Sequence, residues 1–126
     1  MPGLVPKPVF YKLVDRRAVP CNDAAEWGEW FALANRRVAE TWIDDVRIST
    51  VFLGLDHNPF PDRDPALFET MAFVNGEDCH MQRYFIWEEA EAGHEEMVAL
   101  IRAEMAQAKI KAAAAWATVW KRLADA

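Results

Sequence analysis

From Glu88 onward the chain contains no proline and a single glycine, Gly93, in a run dominated by strong helix formers. Proline breaks helices most effectively and alanine is the residue a helix tolerates best. The run therefore predicts one helix from Glu88 to Ala124. Glu88, Glu89, Glu91, Glu95 and Glu96 crowd its start, and Arg102, Lys109, Lys111, Lys121 and Arg122 lie towards its end, a polarity that complements the helix macrodipole. Unbroken, such a helix is about 55 Å long at 1.5 Å per residue. A compact chain of 126 residues has a radius of gyration of only about 14 Å. The helix must overhang the rest of the protein, bend back near Gly93 or Gln107, or pair with a partner.

One stripe of this helix favours pairing. Val98, Ile101, Met105, Ala108, Ala112, Ala115 and Val119 recur at alternating spacings of three and four, the seam of a coiled coil. Trp116 and Trp120 flank the seam, and its alanines allow a second helix to approach closely. These nine side chains are the candidate interface. The same stripe also fits a helix folded back over its own sheet, since amphipathic helices commonly bury against their own core.

The segment before it reads as strands around one shorter helix. Val9–Val14 and Ala18–Cys21 are short strand candidates either side of an Asp15-Arg16-Arg17 turn, and Pro20 confines the second to an edge. Asp23 and Glu26 have capping-box spacing. Ala24, Trp27, Phe31, Ala34 and Val38 follow at helical intervals, widened by Trp30 and Leu33, which places a helix over residues 23–37. Thr41–Leu55 is strand-like, interrupted by Asp44-Asp45. Asp56–Pro65 is a loop with three prolines, and Leu67–Val74 is a strand. Asn75-Gly76-Glu77-Asp78 is a turn, and Arg83–Trp87 is the last strand. The expectation is an α+β fold of order β-β-α-β-β-β-α, with a mostly antiparallel sheet packed on helix. It forms a single domain over 1–126, with an extended Pro-rich stretch at 1–8, an α+β core at 9–100 and a helical extension at 101–126.

Composition excludes several classes of function. The net charge of −6 and pI near 5.0 speak against direct binding to nucleic-acid backbones, which calls for clustered Lys and Arg. Cys21 and Cys79 are too few for a disulfide scaffold and read as reduced thiols, so a cytoplasmic location is expected. The proline-rich start is unlike a signal peptide, and no stretch has the ~20 apolar residues of a membrane span.

For chemistry, the candidate cluster is Asp56, His57, Glu69 and His94, with Cys79-His80 beside it. Such a set contains ligands suited to Zn²⁺ or Mn²⁺. No two of them share a short ligand spacing such as H-x-x-x-H or C-x-x-C. The alternative assignment is hydrogen bonding, His57 to a loop carbonyl and His94 within the helix contacts. Ser49 and Thr50 lack a nucleophile elbow, and the five glycines form no phosphate loop. No cofactor is expected. The acidic loop (Asp56, Asp62, Asp64) and the Glu-rich helix start also present a row of carboxylates, whose plainer role is a solvated face. The Trp residues are most simply core; exposure of two or more of Trp30, Trp42, Trp116 and Trp120 would mark an interface instead.

The segments RRVAETWIDDVRISTVFLGLDHN (36–58), ALFETMAF (66–73) and RYFIWEEAEAGHEEMV (83–98) resemble a family of small uncharacterised bacteriophage and prophage proteins. The resemblance covers roughly Trp27 to Val98 and brings no assigned activity. It implies a phage-type protein acting in the host cell. Two departures stand out. Phe85-Ile86 replaces the Ser-Thr expected before Trp87, removing a hydroxyl that would cap the last helix. Ala103–Ala126 extends past the resemblance. The expectation is a non-enzymatic protein that binds a protein partner, or itself, through the last helix. One alternative is a small metal-dependent or ligand-binding enzyme built on Asp56, His57, Glu69 and His94; the other, which the resemblance suggests, is an acidic inhibitor of a host defence or nucleic-acid-binding protein.

Overall fold

A computed structural model describes residues 7–126. Most of the proline-rich stretch expected at 1–8 lies outside the described residues. The elements are β1 (Phe10–Val14), β2 (Arg17–Cys21), α1 (Ala24–Leu33), β3 (Arg37–Ile43), β4 (Val46–Phe52), β5 (Phe68–Val74), β6 (Glu77–Tyr84) and α2 (Trp87–Ala124). The fold is α+β, as expected, with one strand more than the predicted order. β1 and β2 form a two-stranded ribbon, and β3-β4-β5-β6 an antiparallel four-stranded sheet.

The extra strand arises at Asp44-Asp45. The sequence suggests an interruption there; it is a two-residue hairpin tip, with Ile43 opposite Val46 and Asp44 at a positive φ of 51°. Aspartate tolerates that conformation better than most residues. Asn75-Gly76 closes the β5–β6 hairpin with both residues at positive φ, the conformation of a type I′ turn. β6 therefore begins at Glu77 and ends at Tyr84, earlier than the strand expected at Arg83–Trp87.

α1 is also shorter than the predicted 23–37. Asp23 Oδ1 accepts from the N–H groups of Ala25 (2.9 Å) and Glu26 (3.2 Å). Glu26 does not complete the capping box; its carboxylate pairs with Lys12 at 2.6 Å. The far end is pulled out of helix by Arg36. Its guanidinium lies over the Phe31 ring and donates to the Phe52 carbonyl at 2.9 Å, while Phe52 N–H donates to the Arg36 carbonyl at 2.7 Å. These contacts start β3, so Val38 belongs to a strand, and Leu33 is exposed rather than part of a buried face.

Side chains alternate across a strand, and one face of the large sheet is covered by α2. Val46, Ile48, Ala72, Met97, Val98 and Ile101 form one buried cluster; Tyr11, Phe52, Leu67, Phe68 and Ala90 form another, which the ribbon and α1 extend through Leu13, Ala18 and Trp30. Each fully buried Phe or Ile contributes roughly 1.5–3 kcal/mol of transfer free energy. The two edge strands each carry a bulge, at Val38 in β3 and Cys79 in β6. Such bulges discourage edge-to-edge pairing with other sheets.

α2 neither bends at Gly93 nor folds back. Its missing hydroxyl cap is replaced by Glu89, whose carboxylate accepts from the N–H groups of Phe85 and Ile86, both at 3.2 Å. Gly93 has a packing role: a Cβ there would run into the Tyr84 ring. Alanine is the better helix former by ~1 kcal/mol, yet overpacking costs about 1–3 kcal/mol. Gly93→Ala is therefore expected to destabilise the fold in chemical denaturation, and Gly93→Ala with Tyr84→Leu to recover stability relative to Gly93→Ala alone.

Candidate interaction surface

The polar residues singled out by sequence are placed apart, and each has its own structural partner. Asp56 is clamped at the entry to the loop. It pairs with Lys7 at 2.7 Å and accepts from the N–H groups of Asn58 (2.8 Å) and Ala66 (3.1 Å). Burial would raise its carboxyl pKa, but the Lys7 hydrogen bond, the two backbone donors and the Lys7 charge outweigh it and hold it below the ordinary value. His57 is exposed next to it, its backbone N–H, not its imidazole, donating to the Ala66 carbonyl at 3.1 Å. Glu69 lies on β5 and pairs with Arg83 of β6 at 3.0 Å. Its neighbour Thr70 is directed towards α2, so alternation turns Glu69 to the opposite sheet face, away from His94. Among the described residues no group of three or more His, Cys, Asp or Glu side chains is arranged to hold a metal ion. The predicted metal cluster thus does not assemble. Cys21 and Cys79 are free thiols, and His80 meets Glu104 of α2 at 3.0 Å.

His94 is the one member of that set at the centre of the molecule. It is fully buried, between the two apolar clusters. Its Nε2 lies 2.8 Å from Thr41 Oγ1 and its Nδ1 2.7 Å from Thr50 Oγ1, which in turn lies 2.6 Å from Thr70 Oγ1. A neutral imidazole has one donor and one acceptor nitrogen, and a row of hydroxyls satisfies either tautomer by turning its O–H groups one way along the chain. With both nitrogens occupied, His94 has no lone pair free for a metal. Desolvation pushes its pKa below the ordinary histidine value, opposed by the charge of Glu95.

The candidate interface residues of α2 divide at Met105. Val98 and Ile101 are buried in the chain's own core and Met105 is half-buried against it, so these three do not form the free surface expected of them. Beyond Met105 every residue is exposed. At 1.5 Å per residue the stretch from Ala106 to Ala124 projects about 28 Å. Counted at 3.6 residues per turn, the face that packs on the sheet continues along this projection through Ala108, Ala112, Ala115, Trp116, Val119 and Leu123, with Trp120 at its side. Trp116 is 62% exposed and Trp120 65%. Trp42 is 59% exposed on the outward face of β3, whereas Trp30 packs edge-on against Phe52 with ring centroids 6.0 Å apart. Three of the four tryptophans in question are thus exposed.

The outward sheet face was not foreseen from sequence. Trp42, Arg47, Phe73, Asn75, Gly76 and Asp45 line a shallow hollow there. Glu40 accepts from Arg37 at 2.8 Å and from Arg47 and Trp42, both at 3.2 Å. The only sequence signal for it is the alternation of Glu40, Trp42 and Arg47, Ser49 on paired strands, which is visible only once the hairpin is recognised.

Two measurements test the His94 layer. The folded protein binds the His94 proton more weakly than the unfolded chain does, so stability is full above about pH 6.5. It falls as pH drops from there towards the lowered folded pKa, then levels off. Denaturation midpoints between pH 7.5 and 5 are expected to show this decline and to lose it in His94→Asn. Thr50→Val, which strands Nδ1 without a partner, is expected to cost about 1–3 kcal/mol.

No family model, no curated protein and no solved structure matches this chain, and no helix of the described residues is long and apolar enough to cross a membrane.

Proposed function

We propose that the protein is a non-enzymatic, phage-type binding protein whose working surface is the projecting half of α2. The observation that carries this reading is the exposed continuation of the core-facing stripe beyond Met105, with Trp116 and Trp120 open to solvent. Tryptophan is concentrated at the centres of protein interfaces because one side chain offers a large rigid area with little rotamer entropy to lose. Exposed apolar stripes of this size on a folded chain commonly mark contact sites. The partner is a protein, either a second copy or another chain.

The projection also differs in charge from the rest. Residues 106–126 carry four basic and one acidic side chain, and residues 1–105 carry ten basic and nineteen acidic. A net +3 arm on a −9 body suits contact with a protein surface better than contact with DNA or RNA through the body, which repels phosphate.

The test uses full-length protein labelled with 5-fluorotryptophan. The ¹⁹F resonances of Trp116 and Trp120 are assigned by single Phe substitutions. They are expected to broaden and shift with protein concentration or in an extract of the producing cell, and Trp116→Ser/Trp120→Ser is expected to abolish association while leaving the unfolding free energy of the monomer within about 0.5 kcal/mol of wild type. Resonances that remain at the free position under both conditions would overturn the reading.

A further inference from the structure

We infer that the occupant of the projecting stripe is a second copy of the same stripe, running antiparallel, with its two-fold axis between Ala115 and Trp116. The inference rests on the reading of α2 as a contact surface and names its partner and register.

Side-chain size is graded along the exposed stripe. The first half is small, Ala108, Ala112 and Ala115, and the second half is large, Trp116, Val119 and Leu123. Facing helices pack without voids when large residues meet small ones. A parallel pair would set Ala on Ala, leaving a gap, and Trp on Trp, forcing the helices apart. An antiparallel pair centred between residues 115 and 116 places Ala108 opposite Leu123 and Ala112 opposite Val119, with Ala115 and Trp116 on either side of the axis. Away from the axis each facing pair then joins one small and one large side chain, while at the axis the two Trp116 rings lie side by side on one flank and the two Ala115 side chains on the other. Isologous contact of this kind is the commonest route to a closed dimer.

The flanks agree with this register. On one side of the stripe Lys109 shares a flank with Trp116 and Trp120. In the antiparallel pair the Lys109 of one copy comes level with the Trp120 of the other to within two residues, about 3 Å along the axis, which suits an ammonium-on-indole contact. The two Trp116 rings meet at the axis. On the other side Lys111 and the second copy's Arg122 come level to the same degree. They are like charges well off the seam, so added salt screens a repulsion here rather than an attraction. Lys121 points away from the stripe.

Area is sufficient. Trp116 and Trp120 each leave on the order of 100–150 Å² uncovered. Across two copies the four indoles supply about a third to a half of the ~1,200 Å² at which stable interfaces begin, before Val119, Leu123, Met105 and the alanines are added. The helix end at Ala124 comes level with Gln107 of the second copy, just past Met105 where the core contacts stop. The two folded bodies therefore stand clear of one another at opposite ends of the pair.

Cysteine cross-linking of full-length protein tests the register, in a Cys79→Ser background that leaves only the buried Cys21. A disulfide needs Cα atoms within about 7 Å. In the antiparallel pair two copies of residue 108 are about 22 Å apart, whereas 108 and 123 are opposite one another. Oxidation of Ala108→Cys alone, and of Leu123→Cys alone, is expected to leave monomers on denaturing gels. Mixing the two is expected to give a cross-linked dimer, and Leu123→Glu to weaken association at least tenfold by light scattering. Raising NaCl from 50 to 500 mM is expected to preserve or strengthen association. Self-cross-linking of Ala108→Cys would overturn the antiparallel register while leaving the tail as a contact surface. A mass that stays monomeric at 100 µM would overturn self-pairing, and a dimer weakened by salt would overturn the flank contacts of this register; with no dimer, ¹⁹F shifts of Trp116 and Trp120 in cell extract would show that the tail still binds another chain, and their absence that both readings fail.

Discussion

The interaction on which the rest of the structure depends is the hydrogen-bonded layer joining His94 of α2 to Thr41, Thr50 and Thr70 on three strands of the sheet. Apolar packing is tolerant of small slips, because one aliphatic contact replaces another at similar cost. A buried imidazole is not tolerant: displaced by one turn, it would leave ring nitrogens and hydroxyls without partners at about 1–3 kcal/mol each. The layer sits between the Phe52–Phe68–Ala90 cluster and the Ile48–Ala72–Val98 cluster, and so fixes how far along α2 the sheet reaches. With His94 at the centre, core contact ends at Ile101 and Met105. Everything beyond must overhang. The projection is a consequence of where the polar layer lies, together with the length of the helix.

A bare helical projection of this length needs an explanation for why it forms. Isolated helices of fewer than about 12–15 residues are marginal because the first turn is costly to nucleate. Here the docked half of α2 supplies the nucleus. Elongation into Ala112–Ala115 adds residues at the most favourable propensity, and Lys121 and Arg122 meet the negative end of the dipole. The arm is thus held by local terms alone, while its large side chains, Trp116, Trp120 and Leu123, gain nothing from the body. In an intact native chain such side chains lower solubility unless something covers them.

How much of this was legible in the sequence differs by element. α2 was legible almost to the residue, because proline absence and alanine content act locally. The Asn75-Gly76 turn was legible for the same reason, and Pro20 did fall in an exposed two-stranded ribbon. β3 was not, because an aspartate pair at a hairpin tip has the same composition as one interrupting a strand; the difference is the positive φ of Asp44. The extra turn predicted for α1 followed a true periodicity through Ala34 and Val38 that Arg36 overrides by bonding to the backbone of β4. The metal candidates failed for a related reason. Asp, Glu and His are the usual ligands and equally the usual makers of loop clamps, cross-strand pairs and buried hydrogen-bond layers, and only long-range geometry separates the two uses. The His94 layer joins residues 41, 50, 70 and 94, too far apart in sequence for any short motif to reveal.

The division of labour within α2 follows from these constraints. One helix has the same apolar face throughout, but its first half meets a sheet and its second half meets solvent. The sheet-facing half uses Ala90, Met97, Val98 and Ile101 around a polar anchor, a mixture matched to an irregular surface. The projecting half uses only a run of alanines followed by large residues, a pattern that matches a smooth surface of opposite gradient. Such a surface is most simply supplied by the same helix reversed, because reversal turns a small-to-large sequence into its complement without any second gene or second fold. A helix anchored at His94, packed as far as Met105 and free for about five turns past Met105 therefore holds its far end at a fixed distance from the folded body, and the length of the arm sets that distance.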